Sequence, residues 1–157
     1  MYLLIIVIGI ILDQASKSWV VKNLKDTGKS IKLIENWLYF TYVENRGAAW
    51  GLLSGRRIFF IIFTLLVFAG LIYILTSKKY KLNWVYKLSL SLILSGGIGN
   101  FIDRLRMGYV VDFIFSPLNG IYNFPVFNVA DIFITIGSFI LVVYMLFFEG
   151  KKDENRE

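Results

Sequence analysis

Four runs of about twenty predominantly apolar residues divide this chain, and no other feature limits its fold as strongly. They fall at about Met1–Val21, Ile58–Thr76, Val85–Leu105 and Asn128–Phe148. A helix of about 20 residues rises ~30 Å, the thickness of a bilayer's hydrocarbon core. Hydrophobic residues make up 57% of the 157, more than a soluble domain of this length can hide. An all-α membrane protein is therefore expected, a single domain over residues 1–157 with four transmembrane helices. The net charge of +6 lies in short clusters beside the apolar runs, which suits anionic lipid headgroups and not nucleic acid.

The amino terminus reads as a retained first span. No Lys or Arg precedes its apolar run, and no small-residue cleavage site follows it. Connections run from Lys22 to Arg57, from Ser77 to Trp84 and from Arg106 to Phe127, and the charged tail EGKKDENRE closes the chain. Residues Ser30–Val43, SIKLIENWLYFTYV, are aromatic and β-branched with partial alternation, which predicts short strands. A small sheet of two to four strands resting on the headgroups accounts for them. The following ENRGAAWGLLSG carries Gly47, Ala48, Ala49 and Gly51, small residues that permit close backbone approach.

Polar groups are concentrated where the apolar pattern makes them costly. Asp13 and Lys17 stand four apart in the first span, on one helix face, and can pair. Asp13 lies about 12 Å inside the span's end at Val21, too deep for a carboxylate to reach water easily. In the third span, Ser89, Ser91, Ser95, Gly96, Gly97 and Gly99 make a small-residue surface for helix contact. Asn100, Asp103 and Arg104 then follow at i, i+3 and i+4 on one face. The fourth span opens with Asn128 and Asp131, and Asp112 follows Val110 and Val111 in a strand-like loop. The second span is plain, with a packing role only.

With four spans, the end of the first, the start of the second, the end of the third and the start of the fourth share one side. Lys17, the Glu44–Ala49 loop, Asn100, Asp103, Arg104, Asp112, Asn128 and Asp131 belong to it, with Asp13 just beneath. Charge does not settle which side that is. Seven basic residues (Lys78, Lys79, Lys81, Lys87, Lys151, Lys152 and Arg156) lie on the plain side and nine on the polar one, although four of the seven crowd into Lys78–Lys87.

The chain has neither cysteine nor histidine, which removes thiol nucleophiles, imidazole bases and the usual zinc sites. No metal or cofactor is expected. Two close carboxylates cannot both ionise cheaply and so share a proton. One then activates water while the other protonates a carbonyl oxygen, and a peptide bond is cut without a covalent intermediate. Asp112 and Asp131 suit this, Asp131 standing one turn into a helix whose amino end favours an anion. On the residues alone, a catalytic pair, a small transporter or proton relay built on Asp13, Asp103 and Asp131, and a structural polar cluster all stay open. So does a subunit that binds lipid or a partner.

The ordered blocks DQASK, N-R-GAAWG, GGIGNFIDR, GYVVDF and FNVAD resemble those of lipoprotein signal peptidase (signal peptidase II), a family of bacterial membrane aspartyl peptidases. The resemblance covers nearly the whole chain, in order and register. It implies that Asp112 and Asp131 are catalytic, and that Asp13, Lys17, Asn45, Asn100, Asp103, Arg104 and Asn128 bind substrate or support the site. It implies cleavage of prolipoproteins just before a diacylglyceryl-modified cysteine, in the bacterial cytoplasmic membrane, with the site at the outer face and both termini inside. Residues 22–57 and 106–127 would then be extracytoplasmic, and the polar loop with its sheet would form a clamp over substrate. Lipidated precursors and membrane lipids are the implied partners, the enzyme working as a monomer. Arg46 and Trp50 fall where relatives vary and take no fixed role.

Overall fold

The computed structural model describes residues 2–47 and 55–149. Ala48, Ala49, Trp50 and Gly51 of the small-residue loop, and the tail from Gly150, lie outside the described residues, and the clamp expectation with them. Four helices long and apolar enough to cross a membrane are present: α1 (Tyr2–Leu24), α2 (Arg57–Thr76), α3 (Trp84–Arg106) and α4 (Val129–Tyr144), the last running on through a π-helical turn at Met145–Glu149. Each helix begins and ends within a few residues of one of the four apolar runs. Their outward positions are apolar, as at Ile58 (73% exposed) and Phe139 (69%), while the polar residues turn inward. That inversion is stable only where the outside is hydrocarbon.

The description all-α is too narrow. An antiparallel sheet stands at one end of the bundle, ordered β1 (Ile31–Ile34), β2 (Leu38–Asn45), β3 (Val110–Ser116) and β4 (Phe124–Phe127). The sequence places strands in the connection after α1, and β1 and β2 form there. The other two come from the connection between α3 and α4, and β3 brings Asp112 into the sheet as the partner of Val43. Pro125 lies in β4 at the sheet's edge, where a missing N–H costs no ladder bond.

Helix α3 packs on all three other helices. Its start is capped by Asn83, whose side chain accepts from the N–H groups of Val85 (2.9 Å) and Tyr86 (3.1 Å). Small residues set how close its neighbours come. A Cβ at Gly96 would strike the Ala130 carbonyl oxygen of α4, and one at Gly99 would strike Asp13 Oδ2 of α1. Ile6, Leu75, Leu90 and Leu94 fill the bundle on the plain side, while Val20, Leu24, Tyr109, Val111 and Phe113 join α1 to the sheet. The polar residues lie between these two apolar clusters, at the level where α1, α3 and α4 meet β3.

Candidate active site

Local rules fix Asp131 first. Asn128 caps α4: its Oδ1 accepts from the Asp131 N–H (3.0 Å), and Asp131 Oδ2 accepts from the Asn128 N–H (3.2 Å). This reciprocal capping box pins the Asp131 carboxylate at the helix's amino end, where the backbone dipole favours negative charge. Its other oxygen, Oδ1, accepts from Asn100 Nδ2 at 2.8 Å.

Asp112 is held from two directions. Asn128 Nδ2 donates to its Oδ1 at 2.6 Å, and Asn45 Nδ2 donates to its Oδ2 at 2.8 Å. Asn45 pairs with Val110 in the β2–β3 ladder, so it lies diagonally across from Asp112 on the same face of the sheet. Its Oδ1 accepts from the Gly47 N–H (3.0 Å), which leaves Nδ2 to face the carboxylate. Asp112 is 2% exposed. Burial first, and the negative charge of Asp131 second, push its carboxyl from 3.8 up to about 6, against the opposing effect of the two amide donors.

Behind this pair lies a second cluster. Lys17 Nζ forms ion pairs with Asp13 Oδ2 (3.0 Å) and Asp103 Oδ2 (2.9 Å), and donates to Asn100 Oδ1 (2.8 Å). The i, i+4 pairing of Asp13 with Lys17 is the one the spacing predicts. Asp103 has Lys17 as its ion partner, not its neighbour Arg104, and also accepts from the Val111 N–H (3.2 Å), fastening β3 to α3 just before Asp112. Asp13 Oδ1 accepts from the Ala130 N–H (3.0 Å), which ties α1 to the start of α4.

Arg104 leaves this cluster although it shares a helix face with Asn100 and Asp103. It donates to the Gly47 carbonyl (3.2 Å), and its guanidinium lies 4.9 Å from the centre of the Phe60 ring. It lines a cavity of about 530 Å³ together with Asn45, Asp112, Asp131 and Thr135. Apolar residues of β4 and α4 form the opposite wall, and two of them, Phe124 and Ile136, are 45% and 46% exposed. The cavity therefore opens sideways between β4 and α4.

All nine site residues expected from the sequence meet in this region, Arg104 and Asn45 at the cavity and Asp13, Lys17 and Asp103 behind it. Sequence reasoning passes over Gln14, whose Nε2 contacts Asp13 Oδ2 (3.1 Å), the Gly99 carbonyl (3.1 Å) and Asp103 Oδ1 (3.0 Å). An amide deep in an apolar run is the signal that marks it. Thr135 is also missed, though it stands one turn beyond Asp131 on the same helix face. A third omission is the cluster beside the sheet: Tyr42 OH meets Glu44 (3.1 Å) and Tyr109 OH (3.1 Å), and Arg46 pairs with Glu44 (2.9 Å) and covers the Tyr109 ring. Arg46 holds the Glu44 carboxyl below its ordinary value, and burial pushes the Tyr42 hydroxyl up. Among the described residues, no group of three or more acidic side chains is placed to hold a metal ion.

Similar proteins share this arrangement of elements. The model of a family described as Signal peptidase (SPase) II matches residues 5–147. The chain is 45% identical to the lipoprotein signal peptidase of Clostridioides difficile over 151 residues, covering 96% of this chain and 98% of that one. It is 40% identical to the lipoprotein signal peptidase of Clostridium tetani over 153 residues, 98% and 97% of the two chains. A bacterial membrane enzyme solved by the in meso method at 2.3 Å superposes with a TM-score of 0.85 at 36% identity, over 99% of this chain and 91% of that one. A second such structure, at 1.9 Å, gives 0.83 at 37%, over 94% and 93%.

Proposed function

This chain belongs to the signal peptidase II family, and on that premise we propose that Asp112 and Asp131 are the catalytic pair of an aspartic endopeptidase. Its substrates are diacylglyceryl-modified prolipoproteins, cut just before the lipidated cysteine so that the signal peptide is released. The observation that carries this reading is that both carboxylates line one cavity and, among the described residues, are held only by amides and backbone N–H groups.

The chemistry follows from how differently the two groups are held. Burial pushes the Asp112 carboxyl up to about 6, which suits it to supply a proton, and Asp131 stands at a helix amino end, which suits it to act as the base. A water molecule between them loses a proton to Asp131 as its oxygen attacks the scissile carbonyl carbon. Asp112 gives its proton to the carbonyl oxygen, and a tetrahedral gem-diol forms. The pair then works in reverse: Asp112 takes back a hydroxyl proton, Asp131 protonates the departing nitrogen, and the C–N bond breaks. Each carboxyl ends in the state in which it began. Arg104, at the cavity wall, suits the substrate's backbone carbonyls as a donor.

The sideways opening between β4 and α4 suits a substrate whose acyl chains stay in the bilayer. Each buried CH₂ contributes about 0.8 kcal/mol, so lipid is a strong anchor. The sheet and cavity lie on the outer face of the cytoplasmic membrane, both termini lie in the cytoplasm, the chain forms one domain, and it acts as a monomer. The proton-relay alternative is disfavoured by the plain half of α3. Ser89 and Ser91 there donate to their own helix at Val85 (2.8 Å) and Lys87 (2.5 Å), which leaves no polar track across the bundle among the described residues.

The test is cleavage of a lipidated and an unlipidated prolipoprotein by the purified protein in detergent. The lipidated one is cut, the unlipidated one very poorly, and chelators leave the rate unchanged. Equal rates on both would remove the lipid from the mechanism, and a metal-restored activity would replace the carboxylate pair with a bound ion.

A further inference from the structure

Lys17 does not line the cavity shared by Asp112 and Asp131, yet its ammonium is the only cation within bonding distance of the buried polar cluster among the described residues. An ammonium has three N–H donors, and all three are used, on Asp13, Asp103 and Asn100. Two contacts are ordinary ion pairing. The third reaches a neutral amide that has two ways to face.

Asn100 stands between Lys17 and Asp131. Its Oδ1 accepts from Lys17 (2.8 Å) and from Asn128 Nδ2 (3.2 Å), and its Nδ2 donates to Asp131 (2.8 Å). Turned over, the amide would set N–H against ammonium and oxygen against carboxylate, two repulsions in place of two charge-assisted bonds. Asn128 alone favours the observed orientation weakly, since the same Nδ2 also serves Asp112 and the Val111 carbonyl. The cation is thus what commits Asn100 to donating.

We infer that Lys17 is a positioning residue for the reaction, fixing the Asn100 amide so that it donates to Asp131 and carrying positive charge to the carboxylate pair through that polarised amide. This rests on the reading of Asp112 and Asp131 as catalytic. The charged groups facing the relay are Asp13 from α1, Asp103 and Arg104 from α3, Asp112 from β3 and Asp131 from α4, with Lys22 and Arg106 lining a small cavity beside Lys17. Among the described residues, Lys17 is the one cation with a hydrogen bond to Asn100. Its charge also opposes the upward push on the Asp112 carboxyl, so its influence reaches both members of the pair.

A double-mutant cycle separates this from simple scaffolding. Lys17→Met lowers kcat about 10- to 100-fold, the rate equivalent of one lost hydrogen bond to a charged group, with KM little changed. The acidic limb of the kcat profile moves to higher pH, because a pair without its nearby cation ionises less readily. In an Asn100→Ala background the same substitution costs little more, since the relay is already cut. If Lys17→Met leaves too little folded protein, judged by thermal melt, the pair is removed together as Asp13→Asn/Lys17→Met and taken through the same cycle. Equal costs with and without Asn100, or an unmoved acidic limb, overturn the relay and leave Lys17 a structural cation. Asp131→Asn distinguishes the premise: if it is inactive while Lys17→Met keeps its full kcat, the relay alone fails. If Asp131→Asn is active, the dyad fails as well.

Discussion

Two pairs of aspartates lie within one polar layer of this molecule, and they are treated oppositely. Asp13 and Asp103 share Lys17, are 0% and 2% exposed, and touch no cavity that opens towards β4. Asp112 and Asp131 have no ion-pair partner among the described residues and face the large cavity. A carboxylate neutralised by a buried ammonium is fixed in charge and position, and serves as a fastener between helices. One held by amides keeps its geometry while its charge stays free to change. On the proposed mechanism, the difference in partner, cation against amide, separates the fastening acids from the reactive ones in a layer where all four are equally acidic by composition.

The largest expected effect tests the reactive pair. Asp112→Asn and Asp131→Asn each lower the cleavage rate on the order of 10²–10⁴-fold or more, the scale of acid–base groups, while the protein still folds and melts cooperatively. The double variant is little slower than either single one, because the two act as a unit. A well-folded single variant with near-normal cleavage removes that residue from the mechanism.

The fastening pair should respond in stability. Asp13→Asn leaves Lys17 with one fewer counter-charge and weakens the tie to Ala130, at a cost of about 3–5 kcal/mol for a broken buried pair. The readout is the thermal midpoint in detergent. A midpoint equal to wild type, with activity lost, would put Asp13 among the reactive groups and collapse the contrast.

A smaller effect comes from pH. The folded chain holds the Asp112 proton up to about pH 6, whereas an unfolded carboxyl releases it near 3.8. The native state therefore binds more protons between those values, and its stability falls as pH rises through that window, by roughly 3 kcal/mol. Glu44 works in the other direction, its stabilisation present above its unfolded value and lost as the pH falls. Melts of wild type and Asp112→Asn between pH 4 and 7 isolate the Asp112 share: the wild type loses more midpoint on going up in pH than the variant does. Parallel curves would mean that Asp112 is not held protonated.

The smallest effect marks the baseline. Lys32 and Glu35 pair at 3.1 Å on the exposed edge of the sheet, with side chains 54% and 73% exposed. Lys32→Ala leaves melt and cleavage unchanged, since solvent screens such pairs. A loss there comparable to Asp13→Asn would show that burial is not what distinguishes the ion pairs.

How much of this the sequence announces depends on the range of the interaction. The spans are legible because apolar length is local, and so is the Asp13–Lys17 pair, four residues apart on one helix. The capping box of Asn128 and Asp131 is a four-residue pattern, and it too lies on the surface of the text. What the sequence hides is which groups meet across it. Nothing local says that Asp103 turns to Lys17 and away from adjacent Arg104, or that Asn100 bridges Lys17 and Asp131. The sheet is half legible for the same reason. β1 and β2 alternate visibly, whereas β4 is four residues with a proline, a strand only because β3 lies beside it. The resemblance to a known family names the nine site residues, but the division of the aspartates into two pairs comes from the contacts alone.

The cap on α4 has a consequence in time. Asn128 begins the last of the four helices in chain order, and its one side chain both starts that helix and grips Asp112. Before residues 128–131 have wound into their first turn, Asp131 lacks its clasp and Asp112 lacks its closest donor. Both carboxylates therefore receive these partners only after the last of the four apolar segments has been synthesised and has begun to wind.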